Sequence, residues 1–130
     1  MKCLIFSILM IFCGLSVAAS QDWNWTPSDA GIAEVEASIK LDQLPYWKIS
    51  NLPSLAGYER YYAGSRNERG EKLIFGELIA PLNSKSKPGI HMVARKSDFP
   101  VIYDGGCAII NLVYSLKEQK IISIECNGRG

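Results

Sequence analysis

The chain has 130 residues, 48% hydrophobic and 21% charged, and its 14 Lys and Arg against 13 Asp and Glu give a formal net charge of +1. A chain of this length holds one domain with one core, and so balanced a charge excludes a strongly basic nucleic-acid binder. The single histidine and four cysteines form no cluster with metal-ligand spacing, so neither a metal nor another cofactor is expected.

In chain order, Lys2 is followed by the weakly polar to apolar run Cys3–Leu15 and then by Ser16-Val17-Ala18-Ala19-Ser20. That is the order of the charged, apolar and small-residue regions of a secretory signal. The run of 13 residues is shorter than the about 20 that cross a bilayer as a helix. The pattern therefore predicts cleavage, best placed after Ala19, and no stable membrane anchor afterwards. Residues 1–19 are then the signal peptide, and 20–130 one compact domain exported to the periplasm or the medium. Cys13 does not suit lipid attachment, because bulky Phe12 stands where that processing needs a small side chain. With Lys2 removed, 13 bases face 13 acids, but residues 21–59 carry six acids and two bases while residues 60–96 carry eight bases and three acids. Such asymmetry marks either a basic surface or the solvated edges and loop tips around Arg66, Arg69, Lys85 and Lys87.

From Thr26 the pattern turns helical. Thr26 is the expected N-cap, Pro27 suits the first helical position, and Ile32, Val35 and Ile39 recur at three- and four-residue spacing. The spacing predicts one amphipathic helix over Pro27–Leu41, with Trp25 packing back on its first turn. Pro45 and Pro53 bracket Tyr46-Trp47-Lys48-Ile49, read as an ordered crossover that brings Trp47 and Leu52 into the core.

Beyond Gly57 the period changes to two. Tyr58–Ala63 and Lys72–Ala80 read as strands joined into a hairpin by Ser65–Gly70, and Ile90–Ala94 follows a polar loop. Val101–Tyr103 and Cys107–Ser115 flank Asp104-Gly105-Gly106, and Lys120–Cys126 closes the sheet after a short turn. The fold class expected is α+β, an N-terminal amphipathic helix packed on one face of a curved antiparallel sheet of about four to six strands. In element order alone this is similar to cystatin-like and other helix-on-sheet folds.

Cys3 and Cys13 leave with the signal, so Cys107 and Cys126 remain as an even pair, expected to form a disulfide in an oxidising compartment. Pairing Ser115 with Lys120 would set Ile109 opposite Cys126 and Val113 opposite Ile122, putting both cysteines on one side of the sheet.

The candidate chemistry is sparse. Asp104-Gly105-Gly106-Cys107 could turn backbone amides toward an anion or Asp104 toward a cation, and is equally a hairpin turn. His91 with Asp104, or a pair among Glu59, Glu71, Glu77, Asp104 and Glu125, would be needed for a hydrolase. Strand alternation places Tyr58, Arg60 and Tyr62 on one face, and these are residue types enriched at binding hot spots as well as in ordinary strands. Trp23 and Trp25 raise the same alternative, and Asn24-Trp25-Thr26 fits the N-glycosylation pattern of a eukaryotic secretory pathway. The leading expectation is a non-enzymatic protein- or peptide-binding module of inhibitor or immunity type, using Tyr58, Arg60, Tyr62 and Asp104. The alternatives are a small hydrolase and a structural or stress-related envelope protein.

Overall fold

The computed structural model describes residues 21–44 and 51–128. The expected signal peptide and the Tyr46–Ile49 segment with Trp47 lie outside them.

Helix α1 spans Asp29–Ser38. Ser28 caps it, its hydroxyl accepting the Gly31 amide at 3.1 Å, and acidic Asp29 follows in the first turn, where it complements the helix dipole. The cap is therefore Ser28 and not the expected Thr26, and Pro27 precedes it. The helix also ends before Leu41, because Ile39 turns extended (φ −77°, ψ 122°). That turn lets Ile39, Leu41 and Leu44 keep their side chains buried along a path that a straight helix would not follow.

The strands are β1 Glu59–Arg66, β2 Lys72–Ile79, β3 Gly89–Met92, β4 Ile109–Ser115 and β5 Lys120–Cys126, in the sheet order β3-β1-β2-β4-β5. β1 and β2 form the expected antiparallel hairpin, from Glu59 opposite Ile79 to Arg66 opposite Lys72. Asn67 shapes its turn, with Oδ1 accepting the amides of Arg69 and Glu71 at 2.9 and 3.0 Å, the side-chain turn that Asn favours.

The sheet is mixed, not wholly antiparallel as expected. β3 pairs parallel to β1, Glu59 opposite Gly89 and Tyr62 opposite Met92. After β2 the chain passes the start of β1 and runs alongside it, in its direction, at the sheet's edge. To reach β4 it must then cross back, and residues 93–108 do so over the second face. Val101–Tyr103, expected as a strand, belongs to this crossover, with Val101 and Tyr103 73% and 91% exposed. Gly106–Ala108 form a 3-10 turn, so β4 begins at Ile109.

Ser115 does lie opposite Lys120, but a bulge between Val113 and Tyr114 shifts the rest, so Ile110 faces Cys126 and Val113 faces Ser123. A two-residue period cannot announce a bulge. The Cys107–Cys126 disulfide forms as expected, with its Cα atoms 4.5 Å apart across a sequence separation of 19. It ties the turn before β4 to the end of β5, and in the chain-entropy picture a loop of about 20 residues is worth roughly 3 kcal/mol.

Tyr62, Ile74, Leu78, Ile110, Leu112 and Tyr114 form the sheet's side of the core, against Ile32, Val35 and Ile39 from the helix side. Each fully buried aliphatic contributes about 1.5–3 kcal/mol. The second face carries Tyr61, Phe75, Glu77 and Asn111 beneath the crossover, in which Phe99 is buried.

Candidate functional site

Tyr58, Arg60 and Tyr62 share a face as the alternation requires, and that face is the one α1 covers. Tyr58 and Tyr62 have no exposed surface and Arg60 is 9% exposed. The Arg60 guanidinium donates from Nε to Glu36 Oε1 of α1 at 2.5 Å and from Nη1 to the Leu55 carbonyl at 3.0 Å. Tyr62 donates to the same Glu36 oxygen at 3.1 Å, and Tyr58 donates to the Cys107 carbonyl at 3.1 Å. Burial pushes Tyr58 up to about 12. Burial first, then the Glu36 charge and hydrogen bond, raises Tyr62 well above the ordinary phenol range. Arg60 and Tyr62 join helix to sheet, Tyr58 ties the start of β1 to the turn before β4, and all three are buried.

Asp104 sits in an exposed turn whose next residue, Gly105, has φ 104°, a conformation open to glycine at little cost. Asn127 at the end of β5 pins this turn, its Nδ2 donating to the carbonyls of Ile102 (2.8 Å) and Asp104 (3.3 Å). Asn111 Nδ2 in turn donates to Asn127 Oδ1 at 2.7 Å. Asn127 follows the last strand in a stretch with no motif of its own, and only the tertiary contacts give it this work.

His91 lies on β3, its ring stacked on Tyr61 at 4.8 Å and its Nε2 3.0 Å from the Lys87 carbonyl. Tyr61 donates to Glu59 Oε2 at 2.9 Å, and the Lys87 amide donates to the other Glu59 oxygen. β3 and β5 are opposite edges of the sheet, so His91 and Asp104, whose turn is bonded to the end of β5, are not brought together. Among the described residues no group of three His, Cys, Asp or Glu could hold a metal ion.

Trp23 and Trp25 serve the β1–β2 hairpin. Trp23 packs on Phe75 with ring centroids 5.2 Å apart. Trp25 donates from Nε1 to the Ser65 carbonyl at 2.7 Å, beneath the ammonium of Lys72 at 5.1 Å. Both are half-buried, whereas Asn24 between them is exposed.

What sequence patterning missed is the outer edge of β5. Among the described residues β5 pairs with β4 alone. The Asn127 amide bonds the Ile109 carbonyl at 2.9 Å, and by antiparallel alternation this turns the backbone groups of Ile124 and Cys126 away from β4. Beside this edge lies a cavity of about 370 Å³ lined by Ser38, Lys40, Gln43, Leu44, Ile121 and Ile124. Leu44, Ile121 and Ile124 give it an apolar floor, and Lys40 is its one charged lining residue, in no ion pair among the described residues. Nothing in the spacing of the β5 isoleucines says that a cavity lies beside the strand.

No family model, no curated protein and no solved structure matches this chain.

Proposed function

We propose that the domain is an exported, non-enzymatic binding module that captures an extended segment of a protein or peptide partner along β5. The observation that carries this reading is a seven-residue edge strand lying directly beside a cavity of about 370 Å³. In strand addition, main-chain hydrogen bonds along the edge supply affinity and pockets for alternate side chains supply specificity.

The two edges of the sheet differ in the way this reading requires. β3 is four residues long, follows Pro88 and has Lys87 close by, the devices that blunt an edge against pairing. β5 lacks proline, carries charge only at Lys120 and Glu125, and exposes Ile122. An occupant strand would set an apolar side chain over Leu44, Ile121 and Ile124, with a carboxylate within reach of Lys40. The export-type sequence of residues 1–19 and the disulfide support an extracytoplasmic setting, in which an inhibitor or immunity role is natural.

The test is affinity capture with the tagged mature domain from its own envelope or culture fluid, followed by mass spectrometry and a binding titration. Support is a stoichiometric partner whose affinity drops at least about tenfold, roughly 1.4 kcal/mol, on Ile124→Lys or Lys40→Glu but not on Leu82→Ser. The variants must keep cooperative unfolding. A stoichiometric partner bound equally well by all of them refutes the β5 site.

A further inference from the structure

The second-face side chains of β2 are Leu73, Phe75, Glu77 and Ile79, one charge in an apolar row. Glu77 stands opposite Tyr61 on β1 and Asn111 on β4. It is 8% exposed, and its Oε1 is enclosed with no hydrogen-bond partner among the described residues. A buried polar atom left without a partner calls for an explanation. An ionised carboxylate there loses several kcal/mol of hydration, whereas the protonated acid loses far less.

The cover over Glu77 is the crossover 93–108, and its attachments are few. The Val93 amide bonds the Tyr62 carbonyl at one end, and the Ala108 carbonyl accepts the Ala80 amide at the other. Asn127 holds Ile102 and Asp104. Between Val93 and Ile102 the crossover rests on the buried ring of Phe99, with its centroid 6.4 Å from that of Tyr61, and on Lys96, whose ammonium lies 5.5 Å from the Phe75 ring centroid. No strand ladder crosses this stretch, so it can lift between Val93 and Ile102 without breaking the sheet or the Asn127 bonds.

We propose that Glu77 makes this crossover a proton-dependent cover, packed while the carboxyl is protonated and lifted at Phe99 when it ionises and draws in water. Lifting would uncover Tyr61, Phe75 and Asn111, an aromatic and polar face distinct from the β5 groove and independent of it.

The groups facing Glu77 set the direction. From β1, Tyr61 keeps its hydroxyl on Glu59 and offers Glu77 no proton. From β4, Asn111 is neutral and its amide is engaged by Asn127. From the crossover, Lys96 favours the ionised form, whereas burial, the larger effect, favours the neutral one. In Glu77 the net result is a carboxyl held above its ordinary range, so lifting increases as pH rises. His91, stacked on the Tyr61 ring, is separated from the effect with a His91→Gln variant.

The test is hydrogen exchange read by mass spectrometry on the mature domain between about pH 5 and about pH 8, with rates corrected for intrinsic exchange. Protection of 93–108 relative to α1 and β2 is expected to fall as pH rises across this range, by the proton linkage of a carboxyl that ionises more readily in the lifted state. The fall should vanish in Glu77→Gln and persist in His91→Gln. Lys96→Met, at an exposed position, should move the transition to higher pH by removing the cation that favours ionisation. A wild-type crossover whose relative protection does not change with pH overturns the proposal, as does an equal change in Glu77→Gln or a Lys96→Met transition at unchanged or lower pH.

Discussion

Glu36→Ala is the substitution that most directly tests how the helix is held to the sheet. In the native chain one Glu36 oxygen accepts from both Arg60 Nε and Tyr62 Oη, and the ion-paired side chains are only 11% and 20% exposed. Removing one partner of a buried pair costs about 3–5 kcal/mol, chiefly by leaving the other charge unpaired. Arg60 would keep its bonds to the Leu55 and Tyr58 carbonyls, and the partial exposure of Glu36 admits water, so the loss falls to about 2–3 kcal/mol. At about 4–5 °C per kcal/mol for a domain of this size, Tm should drop by about 8–15 °C. Urea and thermal unfolding followed by circular dichroism measure this. The double variant Glu36→Met with Arg60→Met should recover much of the loss, because no charge is then left buried. A Glu36→Ala cost below about 0.5 kcal/mol, the range of ordinary surface substitutions, would refute the view that this triad locks helix to sheet.

Intact-mass measurement of a chain beginning at residue 20 should find it two hydrogens lighter than its reduced form, and Cys107→Ser with Cys126→Ser should cost about 3 kcal/mol in denaturant unfolding; full native thiol labelling would contradict the bond. Gly64→Ala should destabilise by about 1–3 kcal/mol, since the added Cβ would stand 2.5 Å from the Trp25 carbonyl oxygen, and an unchanged urea midpoint would show that the close approach is not a constraint. Tyr58 holds its proton up to about 12 in the folded state against an ordinary phenol value of 10.0, so in that window the unfolded chain has lost a proton that the folded chain retains. Stability should therefore fall as pH rises from about 10 to about 12, measured by urea midpoints alongside tyrosinate absorbance. A tyrosinate signal complete below that window, without unfolding, would contradict it.

How much of this could be read from the chain follows from the range of each signal. Local regularities sufficed for the amphipathic stretch around Ile32 and Val35, the strand period around Tyr62 and Ile74, the hairpin closed by Asn67, and the pairing of the two cysteines that remain beyond residue 19. Each depends on neighbours in sequence or on simple counting. Alternation also put Tyr58, Arg60 and Tyr62 on one face, but it could not say which face, and α1 closing over them turned a supposed binding surface into a core contact.

The direction of β3, the path of Val101–Tyr103 and the bulge beside Tyr114 were likewise decided in three dimensions. A strand's hydrophobic pattern is the same whichever way it runs, and a loop's length does not choose the edge it reaches. The outer edge of β5 and the buried oxygen of Glu77, unpartnered among the described residues, belong to the same class. Both are defined by what other elements leave uncovered or bury, a property of the packed molecule that no window of the sequence contains.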